Sequence, residues 1–393
     1  MLSTVKNLFG EFMNAMIKKL LQGQAVEWQT LGEVLVRTKG TKITAGKMKE
    51  LHKSNAPIKI FAGGKTFALV DFDDIPQKDI NHKPSIIVKS RGIIEFEYYD
   101  KPFSHKNEMW AYHSQNPNIN IKFIYYFLKQ NEPYFQKIGS KMQMPQIATP
   151  DTDKFKIPIP PLSVQSQIVQ ILDTFTELND QLRDELTAEL SMRQKQYQYY
   201  RDFLLSEHEL AKVGFEWKTL GEVGDILDNL RKPIKASLRL AGSNPYYGAN
   251  NIQDYVDGFT HDGEYVLIAE DGSSSLENYS IQWATGKFWA NNHVHVVSAK
   301  ECLNNRFLFH FLKSMNFIPY LTGGTRAKLT KAKMIEIPIP IPPLSVQSQI
   351  VQILDTFDSL TNSISDGLPK EIKLRQKQYE YYREQLLNFT ATI

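Results

Sequence analysis

An α+β fold built twice is what this sequence predicts: two β-rich variable domains, each followed by a long helix, the two helices paired antiparallel as a coiled coil in a pseudo-two-fold arrangement. Three observations predict it. The stretch IPIPPLSVQSQIVQILDTF runs from Ile157 to Phe175 and again, unbroken, from Ile339 to Phe357. Beyond each copy the apolar residues recur at steps of mostly 3 and 4, as on one face of a long helix. Between the copies lie two regions that share landmarks but few residues and are rich in short β-branched and aromatic runs.

The elements follow in order. Residues 1–28 carry Val5, Leu8, Phe9, Phe12, Met13, Met16, Ile17, Leu20 and Leu21 at helical spacing, without the compact apolar block of a signal peptide. A packed amphipathic helix and linker are expected there, with a membrane-surface helix as the alternative. VEWQTLGEV (Val26 to Val34) comes next and is matched later by FEWKTLGEV (Phe215 to Val223). The first variable domain is read over 29–156, from strand runs such as SIIV and IIEFEYY and the helical run FIYYFLK. Residues 157–217 hold the first copied segment. Its Pro-Pro stretch must be extended; Ser163 is then placed as N-cap, and Gln165 falls in the first helical turn. The helix should continue to about Leu205, roughly 65 Å.

The second variable domain is read over 218–338, from EYVLIA, HVHVV and FLFHFLK. Residues 339–393 repeat the long helix, with Ser345 and Gln347 in the places of Ser163 and Gln165, but SDGLPK puts Gly367 and Pro369 where a helix must kink or break. ELSMRQKQYQYYR (Glu189 to Arg201) lies over EIKLRQKQYEYYR (Glu371 to Arg383). Helices with one apolar stripe each cover one another, with Ile171, Phe175, Leu178 and Leu182 facing the second helix; homodimerisation through one helix is the competing arrangement. Within the variable domains SIIVKSRG aligns with YVLIAEDG, MWAYH with FWANN, and FIYYFLK with FLFHFLK.

Composition sets bounds on function. The 393 residues are 42% hydrophobic with a net charge of +3, ordinary for globular domains and too weakly basic to indicate nucleic acid by itself. Cys302 is the single cysteine, so no internal disulfide forms and a reducing, cytoplasmic setting is expected. No run of 18 apolar residues is present. Catalytic patterns are present only as fragments. No GxxxxGK[ST] phosphate loop is present and FAGGKT is only a fragment of that pattern, NPYY lacks the second proline of a methyltransferase element, and PDTDK lacks the carboxylates of a nuclease. NNHVH offers two histidines without a third ligand. No catalytic or metal-ligating residue is assigned.

The loops give a different signal. Glycines let a backbone approach a ligand, Asn bonds adenine in two places, and Arg or Lys bonds guanine or phosphate. The candidates are Gly63, Gly64, Lys65, Lys89, Arg91, Lys106 and Lys141 in the first domain. In the second they are Asn250, Asn251, Ser273, Asn291, Asn292, His293, Arg326 and Lys328. Carried on duplicated domains, this set points to DNA.

The duplicated PIPPLSVQSQIVQILDTF…RQKQYxYYR and EWxTLGEV segments resemble the specificity subunit of type I restriction–modification systems. YYGANNIQDYVDGFTHDGEYVLIAEDG and KFWANNHVHVV resemble that family's target-recognition domains, and the resemblance covers nearly the whole chain. In the first domain IFAGGKT replaces YYGANN and MWAYHS replaces FWANNHV. The resemblance implies a subunit with no catalysis of its own, whose two recognition domains each read half of a split double-stranded DNA target. It implies that the helices set the spacer and bind two methyltransferase subunits, which restriction/translocase subunits then join. S-adenosylmethionine, ATP and magnesium would belong to those partners. A stand-alone methyltransferase or nuclease, or a protein-binding coiled-coil adaptor, are the rival readings.

Overall fold

The computed structural model describes residues 26–140, 144–323, 327–362 and 367–389, together with Lys19 and Leu21. The helix expected over residues 1–28 therefore falls almost wholly outside the described residues. The chain forms two compact units, residues 1–183 with 373–393, and residues 184–372.

In chain order, β1 (Glu27–Thr30) and β2 (Val36–Arg37) precede helix α1 (Ala45–Leu51) and the hairpin of β3 (Ile58–Phe61) and β4 (Phe67–Val70). Then come β5 (Ser85–Lys89), β6 (Glu95–Tyr99), β7 (Phe103–His105), β8 (Trp110–His113), α2 (Ile121–Gln130), α3 (Glu132–Gly139), β9 (Lys156–Ile159) and the 43-residue helix α4 (Leu162–Leu204). The second half supplies β10 (Glu216–Thr219), β11 (Gly224–Ile226), β12 (Ala241–Gly248), β13 (Asn251–Val256), β14 (His261–Ala269), β15 (Ile281–Ala290), β16 (Val294–Ala299) and α5 (Asn305–Ser314). It closes with β17 (Pro338–Ile341), α6 (Leu344–Asn362) and α7 (Leu368–Leu387).

The copied short motif forms a latch. β1 pairs antiparallel with β9, setting Trp28 opposite Pro158, and β10 pairs with β17, setting Trp217 opposite Pro340. The two ends of each variable region are thus zipped into one ribbon. In TLGE, Glu33 accepts from the backbone and hydroxyl of Thr30 at 3.0 and 2.7 Å, and Glu222 does the same for Thr219 at 2.6 and 2.8 Å. Each closes a one-turn helix with a capping box. The Leu31 amide then donates to Phe155, and the Leu220 amide to Ile337.

Both variable domains use one strand plan. The second is a six-stranded sheet of order β11-β16-β14-β15-β12-β13. The first is split into β2-β8-β5-β6 and β4-β3-β7. The split falls where β15 runs on as one strand, bending at Gly286 with φ of +68°, whereas the corresponding chain is cut into β6 and β7 by Asp100, Lys101 and Pro102. Proline cannot donate to a ladder, which ends the first sheet there. The pairing corrects one landmark. Ile86 faces Tyr112 as Val266 faces Val297, and Ile60 faces Ser104 as Tyr246 faces Trp289. MWAYH therefore corresponds to the stretch around His295, and the place of FWANNH is held by FSHKNE (Phe103 to Glu108). A Trp-Ala pair present in both MWAYH and FWANN made them look matched.

Each core joins a sheet to the copied helices. In the first unit α2 buries Phe123, Ile124 and Leu128 beside Val164, Ile168 and Leu172 of α4 and Leu386 and Leu387 of α7. In the second, Phe307, Leu308 and Leu312 of α5 pack in one core with Ile350 and Leu354 of α6. A glutamine fastens each junction. Fully buried Gln165 accepts from the Asn120 amide at 2.8 Å and donates to Asn118 O at 3.1 Å and Pro160 O at 2.7 Å. Gln347 accepts from the Asn304 amide at 2.8 Å and donates to Cys302 O at 3.1 Å and Pro342 O at 2.8 Å. Asn120 and Asn304 are themselves the N-caps of α2 and α5.

The helices pair within each unit. Phe175 of α4 meets Tyr382 of α7 with ring centres 5.8 Å apart, and Tyr200 of α4 stacks on Phe357 of α6 at 5.4 Å. Each pair is the other's image under the repeat. The deeper ends, Leu172 with Leu386 in one unit and Leu204 with Leu354 in the other, run in the antiparallel sense. Two details differ from the sequence reading. The helices begin at Leu162 and Leu344, because the carbonyls of Pro161 and Pro343 already accept the first helical amides, so Ser163 and Ser345 lie inside the first turn rather than capping it. Leu178 does face Arg375, Gln378 and Tyr382, but it stays 56% exposed. The interruption expected at SDGLPK is present: α7 starts anew at Leu368, with the Gly367 carbonyl accepting the Lys370 amide. Among the described residues no helix is long and apolar enough to cross a membrane.

Candidate nucleic-acid interface

In each variable domain the strand plan brings three loops together: the turn after β3 or β12, the loop after β5 or β14, and the loop after β7 or β15. The frames match closely. Lys106 N donates to Phe61 O at 2.9 Å, as Asn291 N donates to Tyr247 O at 3.2 Å. Arg91 bridges to Gln146 as Asp271 bridges to Lys328. Gly92 and Gly272 follow, with φ of +75° and +72°, a conformation that favours glycine and turns both loops alike.

In the first domain these loops line a cavity of about 740 Å³ with α1 and the β4 edge. Gly63, Gly64, Arg91 and Lys106 are in its wall, beside Met48, His52, Phe67, Glu108 and Met109. Lys65 is exposed in the hairpin turn next to Gly64. Lys106 pairs with Glu108 at 2.6 Å, while among the described residues the exposed Arg91 guanidinium has no hydrogen bond or ion pair. Lys89 is not part of this group. It lies on β5 with its side chain 12% exposed, held by Glu95 at 2.6 Å and Glu97 at 2.8 Å. It points to the sheet face it shares with Glu95 and Glu97, whereas the chain has left the strand by Arg91, which reaches the cavity. Lys141 lies outside the described residues.

In the second domain the loops are laced to one another. Asn250 donates to Gly272 O at 2.7 Å and accepts from the Ser274 amide at 2.7 Å. Ser273 donates to Ser275 O and accepts from the Ser280 amide. His293 meets Asp271 at 2.5 Å. Asn251, Asn292 and His293 are exposed, whereas Asn291 is buried and accepts from the His293 amide at 2.8 Å, ordering the turn. Lys328 pairs with Glu270 at 2.7 Å, and Arg326 lies outside the described residues. Burial would raise the Glu270 carboxyl, but hydrogen bonds from Lys328 and Arg231 outweigh it and hold it below the usual carboxylate range. His295 belongs to the core. Its Nδ1 meets Asp228 at 2.6 Å and its Nε2 meets Leu329 O at 2.9 Å, so it does not share a ligand with His293.

Two further groups carry charge or shape to these sites. Lys232 and Lys235 are exposed on the segment that joins the Asn291 turn through the Lys232 amide to Ala290 O. Four cations within Arg231–Arg239 signal that segment in the sequence, although Arg231 and Arg239 pair internally with Glu270 and Asp254. Asp271 and Glu108 were not singled out, because a carboxylate does not announce a DNA surface. Their positions opposite His293 and beside Lys106 give them a role only once the loops are placed.

A family model described as the type I restriction modification DNA specificity domain matches residues 25–191 and 212–374. The specificity subunit of the Escherichia coli type I restriction enzyme EcoR124I/EcoR124II is 34% identical over 403 residues, covering 95% of this chain and 96% of that one. A putative type I restriction enzyme specificity subunit of Haemophilus influenzae is 69% identical over 192 residues, 48% of this chain and 49% of its own length. Among solved structures, the type I restriction–modification S subunit from M. genitalium matches with a TM-score of 0.54 and 18% identity, over 94% of this chain and 98% of that one. A chain from a structure on complex assembly and conformational transition of the type I R-M system matches with a TM-score of 0.62 and 15% identity, over 93% and 98%. These two share the fold.

Proposed function

The chain belongs to the type I restriction–modification specificity family, and from that premise we propose that each variable domain reads one half of a bipartite DNA target through its three converging loops. The observation that carries this reading is one loop frame built twice on copied supports, with different side chains at its tips. Such a molecule presents two separate readers from one scaffold. The reading groups Gly63, Gly64, Lys65, Arg91 and Lys106 on one half-site, and Asn250, Asn251, Ser273, Asn292, His293 and Lys328 on the other. Asn291 positions its turn. Lys141 and Arg326 remain candidates by sequence.

The paired helices supply the separation between half-sites and the docking surface for methyltransferase subunits, two by the pseudo-symmetry, with restriction/translocase subunits joining them in the cytoplasm. The chain contributes recognition and no catalytic step; S-adenosylmethionine, ATP and magnesium act in the partners.

The test expresses the full chain with methyltransferase subunits and sequences the methylated genome. A single bipartite motif with a fixed spacer is expected. Replacing a base-reading residue should relax one position of one half-site, at a cost of about 1–3 kcal/mol. Replacing a phosphate contact such as Lys232 should weaken all sequences alike and lower the salt slope by about one. Binding of S-adenosylmethionine by the purified chain alone, or a chain that selects no sequence, would overturn the reading.

A further inference from the structure

The two loop frames correspond residue by residue, yet the charges at their tips are reversed. Fixed by the shared pairings, Arg91 stands where Asp271 stands, and Glu108 where His293 stands. Cation beside carboxylate in the first domain becomes carboxylate beside imidazole in the second. The backbone beneath is the same, down to the left-handed glycine after each charged residue. Resting on the reading above, we propose that this one position selects opposite base edges in the two half-sites: Arg91 reads guanine in the first, and Asp271 reads cytosine in the second.

The chemistry follows from the partners. A guanidinium presents two parallel donors that match the O6 and N7 acceptors of guanine in the major groove. Arg91 is exposed and unpaired among the described residues, with Gly92 behind it, so its fork is available. Lys106, another cation in the cavity wall, is already joined to Glu108. In the second domain one oxygen of Asp271 meets His293, which leaves the other to accept from the exocyclic amino group of cytosine. A carboxylate near DNA phosphates needs local compensation, and Lys328, which pairs with the adjoining Glu270 and whose charge also reaches Asp271, supplies part of it. His293 orients Asp271 and is a positioning group, whereas Glu108 is held by Lys106 and only feels the charge of Arg91.

The test uses the full chain with its methyltransferase subunits and a pool of duplexes carrying randomised half-sites, with Arg91→Gln and Asp271→Asn beside the unaltered chain. Both residues are surface groups, so both variants should fold. The expected result is a guanine in one half-site whose preference, about tenfold or more, is lost in Arg91→Gln with every other position retained. Asp271→Asn should relax a cytosine in the other half-site only. A uniform loss of binding across all sequences in Arg91→Gln makes it a phosphate contact and overturns the inference, as does a relaxed base other than guanine, or both variants acting on one half-site. Those outcomes leave the bipartite reading standing. Failure of the unaltered chain to enrich any bipartite sequence overturns both.

Discussion

Gln165 and Gln347 sit at equivalent points of two junctions, and each makes three hydrogen bonds from a fully buried amide. Removing either side chain leaves the buried Pro160 or Pro342 carbonyl without its partner and takes one bond each from a half-buried amide and carbonyl. Gln165→Ala or Gln347→Ala should therefore cost roughly 2–4 kcal/mol, read as a lower denaturant midpoint. Their place in the first turn was legible in SVQSQ; their function as clamps on the N-caps of α2 and α5 was not, because it needs the neighbouring helix.

His310 gives a pH dependence. Its ring lies between Tyr197 at 3.0 Å and Asp355 at 2.8 Å, near Arg306, and burial pushes it down to about 4 against the pull of Asp355. The unfolded imidazole titrates near its ordinary value, about 6.5, so between there and about 4 the unfolded state holds more protons. Stability contributed by the neutral ring is present above that window and falls as pH drops through it, by roughly 3 kcal/mol in all and about 2 kcal/mol by pH 5. His310→Gln should flatten this limb in melting curves taken between pH 7.5 and 5; an unchanged slope would exclude His310 as its source. The first copy carries Tyr126 at this position, bonded to Asp173 at 2.5 Å, and has no such titration.

At the scale of elements, periodicity located the long helices and their antiparallel partners, because each stripe has to be covered. It did not rank positions along the stripe. Leu172 and Leu354, related by the repeat, are fully buried, while Leu178 is 56% exposed. Leu172→Asp and Leu354→Asp should each cost several kcal/mol through an unpaired buried charge. Leu178→Asp should stay within about 1 kcal/mol, since its carboxylate remains hydrated. Thermal unfolding of the three variants checks the order. Strands were legible as runs, but their equivalence across the two domains was misjudged at MWAYH, where a shared Trp-Ala outweighed hydrogen-bond registers that a sequence does not display. Lys89 was grouped with Arg91 for a related reason: two residues apart in sequence, they fall on a strand and on the loop beyond it.

At the scale of the whole molecule, the ribbons make each variable region a unit with its ends side by side. Exchanging the two regions at Leu31/Leu220 and Ile157/Ile339 leaves β1, β10 and the copied helices in place and keeps a Trp-Pro pairing in each ribbon. The exchanged protein should fold and, with its methyltransferase subunits, mark the same two half-sites, as methylome sequencing would read directly. A soluble exchange that methylates an unrelated sequence would place specificity in the copied segments as well.

The ribbons also mark a seam in the gene. A crossover between the two coding stretches for IPIPPLSVQSQIVQILDTF deletes the 182 codons that separate Ile157 from Ile339, and β1 would then zip onto the second copy of its partner with Pro340 opposite Trp28. A crossover with another gene bearing the same stretch trades one reader for a foreign one at the same seam. The lineage can thus acquire new vocabulary by shuffling whole words, without mutating its way through unfoldable intermediates.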